Sequence, residues 1–242
     1  MLVTSSHCYL FDVDGTLTKP RKRMTNRFAG KFLRWSKGKQ IFIATGSDWD
    51  KIREQIPQEV LDFFQGIFCC MGNELRLPNG TVVEKSDFII PDELNNFLGD
   101  VLKKSEYEPK VGLHLEFRTG MVNFSTVGRK ASIGQRNAYY RWDKAIKERE
   151  KIADLINNHF PHLEASVGGS ISIDIIEKGK DKGQIVPWMI NRGVNKLTFV
   201  GDRCEPGGND WGIVRELMKT SISFAWYNIN GPQEVLNLIK SL

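Results

Sequence analysis

Two aspartates one residue apart, Asp12 and Asp14, close a short apolar run in Tyr9-Leu-Phe-Asp-Val-Asp-Gly-Thr-Leu-Thr18. In an α/β protein, ligands bind at the carboxyl ends of buried strands. Carboxylates crowded there repel each other unless a cation or a proton separates them. A hard cation with oxygen ligands, Mg2+ above all, is the natural partner, and Gly15 supplies the backbone freedom for the turn after Asp14. A calcium loop of the EF-hand type also begins Asp-x-Asp. Here its fifth position would be Thr16 and its twelfth Arg23 rather than Glu, and a strand precedes it where a helix should, so that reading is rejected. A solvated Asp-Gly turn is the bland alternative, and it weakens as the rest of the chain is read.

Three more stretches carry matching chemistry. Gln40-Ile-Phe-Ile-Ala44 reads as a second buried strand ending in Thr45-Gly-Ser-Asp48. Thr45 and Ser47 there serve either as helix caps or, with exposed N–H groups, as holders of a phosphate oxygen at a helix start. Lys182 precedes a strand–helix unit, and Lys196-Leu-Thr-Phe-Val200 ends in Gly201-Asp-Arg-Cys-Glu-Pro-Gly-Gly-Asn-Asp210, with two acidic residues inside one glycine-rich loop. Together these residues make a phosphoryl-transfer set of nucleophile, acid/base, phosphate holder, neutralising cation and metal ligands.

The elements that position them are read from periodicity. Helices are expected over 25–36, 48–55, 91–104 and 135–158, then from 182, 209–218 and 231–242. Gly66-Ile-Phe-Cys-Cys70 is a third apolar run, and 74–83 is a hairpin turning at Pro78-Asn-Gly80. Between these, 111–118 with 121–125 and the stretch 163–176 alternate as antiparallel strands, and Ser221-Ile-Ser-Phe-Ala-Trp226 is a last strand. The middle of the chain lacks βα alternation, so an α+β unit over 85–180 is expected to be inserted between the two parts, 1–84 and 181–242, of an α/β one.

A chain of 242 residues with 40% hydrophobic and 26% charged residues has the composition of an ordinary soluble protein and length enough for such a pair. No apolar stretch is long enough to span a membrane, and Met1-Leu-Val-Thr-Ser-Ser-His7 lacks a secretory pattern. Cys8, Cys69, Cys70 and Cys204 show no metal spacing, so a reducing cytoplasm is expected. The net charge of +5 is small, and only Lys19-Pro-Arg-Lys-Arg23 clusters, so no nucleic-acid partner is expected.

Asp12-Val-Asp-Gly-Thr-Leu-Thr18 resembles the opening motif of the haloacid dehalogenase superfamily, in which the first Asp is a nucleophile and the second a general acid/base. Asp12 to Arg21, Gly46-Ser-Asp48 and 201–210 resemble the eukaryotic-type phosphomannomutases, as do Glu116-Phe-Arg-Thr-Gly-Met-Val-Asn123, Gly128-Arg129, Arg136 and Gly168-Gly-Ser-Ile-Ser-Ile-Asp174. The resemblance spans nearly the whole chain. It implies a Rossmann-like haloacid dehalogenase core with a parallel sheet, an inserted α+β cap, and homodimers formed through caps.

By the same resemblance, Asp12 takes and gives the phosphoryl group and Asp14 shuttles the proton. Thr45 or Ser47 and Lys182 hold the transferring group. Mg2+ sits on Asp12, the backbone carbonyl of Asp14 and Asp210, with Asp202 nearby. Arg118, Arg129 and Arg136 grip the other phosphate, Arg21 helps at the domain interface, and Asn123, Ser172 and Asp174 bind the sugar. The implied activity interconverts mannose 6- and 1-phosphates, or the corresponding glucose phosphates, with a hexose 1,6-bisphosphate activator, in cytoplasmic mannose metabolism leading to GDP-mannose. The alternative is a Mg2+-dependent sugar-phosphate phosphatase, and a binding protein without catalysis is a weaker rival. Two positions depart from the mutase pattern: Thr45 stands where a Gly is usual, and Met71-Gly-Asn-Glu74 replaces Glu-Asn-Gly.

Overall fold

The computed structural model of the chain describes Val3 and residues 5–242. Met1, Leu2 and Thr4, part of the stretch read for a secretory pattern, lie outside the described residues. The chain divides into two compact units, a core unit of Met1–Lys85 with Lys180–Leu242 and an inserted unit of Ser86–Gly179.

In the core unit, β1 (His7–Phe11), α1 (Asn26–Ser36), β2 (Gln40–Ala44), α2 (Trp49–Gln55), α3 (Gln58–Leu61), β3 (Gly66–Cys69), β4 (Glu74–Arg76) and β5 (Val82–Lys85) precede the insertion. The seven-stranded sheet runs β11-β10-β1-β2-β3-β4-β5. Its central strands are parallel, while β4 and β5 run antiparallel at one edge. Both faces of β1 are covered, which explains its unbroken apolar run. Cys8 and Leu10 join a core with Val186, Met189, Ile213 and Val214, whereas Phe11 meets Phe32 and Trp35 of the α1 region edge-on. Thr25 caps α1 by accepting from Phe28 N–H, and Asp48 caps α2 in the same way from Lys51 N–H.

Register decides where the site lies. Phe11 pairs with Val200 on one side and Ile43 on the other, so the residues just past these three strands emerge at one sheet edge, the carboxyl edge.

The inserted unit holds α4 (Asp92–Lys104), β6 (Leu115–Arg118), β7 (Met121–Phe124), α5 (Ile133–Ile146), α6 (Glu148–His159), β8 (Leu163–Gly168) and β9 (Ser172–Glu177). Its antiparallel sheet has the order β6-β7-β9-β8. Val122, Phe124, Ile173 and Ile175 pack against Leu94, Leu98, Ile152 and Ile156 of α4 and α6. Alternation puts Glu116, Arg118, Asn123, Ser172 and Asp174 on the opposite face, because Glu116 pairs with Asn123, and Asn123 with Asp174.

Two expectations need correction. The single helix over 135–158 is two helices, broken at Lys147, which adopts left-handed backbone (φ 57). The halves serve different cores, Tyr139 packing with Tyr107, Val127 and Ile171, and Ile152 and Ile156 with the sheet. The buried Asp143–Arg149 pair spans the break at 2.8 Å. The strand over 111–118 is regular only from Leu115, because Val111 N–H bonds to the Val127 carbonyl, outside the β6–β7 ladder.

The chain returns to the core unit through a 3-10 turn at Lys182–Gln184, then α7 (Ile185–Ile190), β10 (Lys196–Gly201), α8 (Trp211–Leu217), β11 (Ser223–Asn228) and α9 (Pro232–Leu238).

Candidate active site

In the core unit the ends of β1 and β10 bring three carboxylates together. One oxygen each from Asp12, Asp202 and Asp210 lies within 4.8 Å of the others. Lys182, fully buried, donates to Asp12 Oδ1 at 2.6 Å and to Asp210 Oδ1 at 2.7 Å. Thr16, a residue with no expected role, donates its hydroxyl to Asp12 Oδ2 at 3.2 Å. Asp210 Oδ2 accepts the backbone N–H groups of Asp202 and Arg203 at 3.2 Å, closing the glycine-rich loop on itself. Gly15 adopts φ +90, and a Cβ there would stand 2.1 Å from Asp202 Oδ2. Only glycine lets the first turn approach that carboxylate.

Burial pushes the Asp12 carboxyl well above the ordinary carboxylate range; Lys182 opposes this, while Asp210 and Asp202 add to it. Burial, then the Asp210 charge, pushes Asp202 up to about 6. For Lys182 burial acts to lower the ammonium pKa, but Asp12 and Asp210 outweigh it and hold the value above normal. Once all three have ionised, the carboxylates carry more negative charge than Lys182 offsets. Three hard oxygen donors with that excess fit a divalent cation.

Asp14 is expected at the metal through its backbone carbonyl, and its carboxylate lies outside the acidic cluster. Asp14 Oδ1 instead accepts from Arg21 N–H at 2.8 Å and from the Gln55 amide at 2.7 Å. Arg21 contributes its backbone here, in left-handed conformation (φ 58), with an exposed side chain. Thr45 is buried, and its Oγ1 accepts from Ser47 N–H at 3.1 Å. The turn is held by Cys70 N–H on the Ser47 carbonyl and Met71 N–H on the Thr45 carbonyl.

Of the expected sugar-phosphate residues of the inserted unit, Arg118, Asn123, Ser172 and Asp174 lie on the polar sheet face, Arg129 reaches them from the loop before α5, and Arg136 lies on α5. Glu116 links two of them: Oε1 accepts from Arg118 Nε at 2.8 Å and Nη2 at 2.7 Å, and Oε2 accepts from Arg129 Nε at 2.6 Å. Arg129 Nη1 also donates to Ser172 Oγ at 2.9 Å. Arg136 braces the backbone, donating to the Ala131 and Arg129 carbonyls. Asn123 donates to Asp174 Oδ1, which leaves the Asn123 carbonyl oxygen buried with no hydrogen-bond partner. A Cβ on Gly168 would lie 2.2 Å from Asp174 Oδ2, so the strand end must be bare there.

Glu116 carried a signal that sequence reasoning passed over, since a residue two before Arg118 on a strand shares its face. Gln55 and Arg149 carried none. Arg149 is buried, and its Nη1 donates to the carbonyls of Gly168, Gly169 and Ser172, fixing the β8–β9 turn.

Residues 28–242 match the sequence model of the family described as eukaryotic phosphomannomutase. The chain belongs to the eukaryotic phosphomannomutase family. Relatives in that family include the phosphomannomutase of Glycine max, 31% identical over 96% of this chain and 94% of that protein. That of Encephalitozoon cuniculi is 34% identical over 85% and 83%. Among solved structures, the C-terminal domain of Candida albicans trehalose-6-phosphate phosphatase superposes with a TM-score of 0.63 at 17% identity, covering 97% of this chain and 91% of that one. A haloacid dehalogenase-like hydrolase from Bacteroides thetaiotaomicron gives 0.58 at 13%, covering 97% and 98%. The fold is therefore that of the haloacid dehalogenase superfamily. The family match begins after Asp12 and Asp14, whose placement rests on the geometry above.

Proposed function

We propose that this member of the phosphomannomutase family interconverts mannose 6-phosphate and mannose 1-phosphate through an aspartyl-phosphate on Asp12 and a hexose 1,6-bisphosphate. The observation that carries this reading is the second charged cluster. An enzyme that hydrolyses one phosphate has no use for Arg118 and Arg129 joined on Glu116 in another unit, with Arg136 bracing the Arg129 backbone, whereas a mutase must grip whichever phosphate is not reacting. Arginine forks suit that task.

In this reading the bisphosphate activator loads Asp12, and a hexose monophosphate takes the group back at its other hydroxyl. Asp14 gives a proton to the departing sugar oxygen and removes one from the attacking hydroxyl. Lys182, with the Thr45 or Ser47 hydroxyl, holds the phosphoryl oxygens. Arg118, Arg129 and Arg136 hold the distal phosphate, and Arg21 adds a further cationic contact. Ser172, Asp174 and Asn123 face the sugar hydroxyls, one of which would satisfy the unpartnered Asn123 oxygen. Mg2+ would be held by Asp12, Asp210 and the Asp14 carbonyl, with Asp202 beside them, and would supply charge against the phosphoryl oxygens. A homodimer formed through the inserted unit belongs to the same reading. So does a cytoplasmic location, supported by four cysteines that are all free and buried. No helix among the described residues is long and apolar enough to cross a membrane.

Phosphorus NMR tests the assignment with mannose 1-phosphate, Mg2+ and a catalytic amount of hexose 1,6-bisphosphate. A growing 6-phosphate resonance is expected. Inorganic phosphate alone would make the protein a phosphatase.

A further inference from the structure

Asp14 is anchored through one oxygen only. Its Oδ1 takes both hydrogen bonds, from Arg21 N–H and from Gln55 Nε2. Its Oδ2 has no hydrogen-bond partner among the described residues. Gln55 is buried and ends α2. A carboxylate only accepts, so the amide nitrogen of Gln55 must face Asp14. That nitrogen's second contact is the Thr18 hydroxyl at 3.3 Å, which in turn donates to the Val13 carbonyl.

The backbone of Gln55 is tied in as well. Its carbonyl accepts from Met24 N–H at 2.7 Å, just past the loop in which Arg21 takes φ 58. Side chain and backbone of one residue therefore hold both the Asp14 carboxylate and the end of the loop that supplies its other donor. At its other end α2 comes directly after the Thr45–Ser47 turn and is capped by Asp48. A helix of this length, about 10 Å, thus sets the phosphate-holding turn and the proton carrier from its two ends.

We propose that Gln55 is a positioning residue that determines which oxygen of Asp14 handles the proton, fixing Oδ1 and presenting Oδ2. The proposal rests on the reading of Asp14 as general acid and base. When a sugar phosphate loads Asp12, a bond forms from an Asp12 carboxylate oxygen to phosphorus. The bond from phosphorus to the sugar oxygen breaks, and that oxygen keeps the electron pair and takes the proton from Asp14 Oδ2. In the return step a sugar hydroxyl attacks the same phosphorus, its proton passes to Oδ2, and the Asp12 oxygen leaves. Throughout, Oδ1 keeps its two donors, so the carboxylate does not turn between the two steps. Gln55 touches no reacting atom.

Such a role separates donors by leaving group. Glucose 1,6-bisphosphate releases a sugar oxygen that needs a proton, whereas acetyl phosphate releases acetate, which needs none. Single-turnover loading of the Mg2+ enzyme would be followed with both donors in Gln55→Leu and Gln55→Met, which fill the space without a donor. Loading from the bisphosphate is expected to slow about 10–100-fold, a part of what general acid catalysis supplies. Its KM and the acetyl phosphate rate should stay within about twofold of wild type. Equal losses on both donors in both variants would make Gln55 merely structural, and no loss on either would also overturn the proposal. Asp14→Asn is the control. If it shows no difference between donors, the acid/base reading of Asp14 falls and this inference with it. If it does and the Gln55 variants do not, the inference alone falls.

Discussion

In the core unit three carboxylates surround one ammonium, while in the inserted unit two guanidiniums close on one carboxylate. The first cluster lies at the ends of parallel strands with both sheet faces covered, and Lys182 and Asp210 are fully buried. The second lies on the polar face of an antiparallel sheet whose other face is packed by helices, and Asn123, Ser172 and Asp174 there are buried. Burying charge costs several kcal/mol per ion unless it is well paired, so neither cluster is a device for stability. The two are opposite in sign, and in the proposed reading the acidic cluster takes a divalent metal while the arginine cluster takes a phosphate.

The largest effect should come from removing the nucleophile. Asp12→Asn keeps the shape and loses the attacking charge, so turnover should fall about 10⁴-fold or more, as for other nucleophiles. Retained phosphoryl transfer above a few per cent, measured with either acetyl phosphate or bisphosphate, would place the chemistry elsewhere.

Next is the arginine cluster. Arg129→Ala/Arg136→Ala removes a charge-assisted grip worth about 1.5–3 kcal/mol per contact, and Arg136 also braces the Arg129 carbonyl. Isomerisation should be lost while acetyl phosphate, with no second phosphate, is still cleaved. Equal losses on both substrates would erase the division of labour between the clusters, and no loss on either would return the phosphatase reading to first place.

Asp210→Ala should weaken the metal site and also cost stability, because Lys182 and two backbone N–H groups lose an acceptor. The Mg2+ concentration for half-maximal activity should rise by about 10–100-fold or more. An unchanged Mg2+ dependence would move the ligand to Asp202.

The smallest effect concerns protons. Asp202 has a folded-state pKa of about 6, above its unfolded value of about 4. Between these values the metal-free folded state keeps a proton that the unfolded state has lost, so stability falls as pH rises through the window. Thermal melts in a chelator should show that fall, and the melting-point gain from Mg2+ should grow over the same range. A flat profile would mean the cluster is less crowded than its geometry implies.

The sequence by itself determined the buried strands of the core unit and which polar residues stand at their carboxyl ends. Buried parallel strands read as unbroken apolar runs, so Gln40–Ala44 is the second strand as expected, and Asp12, Thr45 and Asp202 stood at legible strand ends. Antiparallel strands read as alternation, which separated the inserted unit from the core. Period 2 even held the Glu116–Arg118 pairing, since both residues share one face of β6. The break at Lys147 was not legible, because no glycine or proline marks it, and the competition between two cores for Tyr139 and Ile152 is a tertiary matter. Nor was the placing of Lys182 between Asp12 and Asp210, 170 and 28 residues away, or of Gln55 on Asp14, 41 residues away. Local sequence sets backbone preference and which face is apolar. Which polar groups meet is decided by strand register and helix docking, and these sum weak contacts over the whole unit.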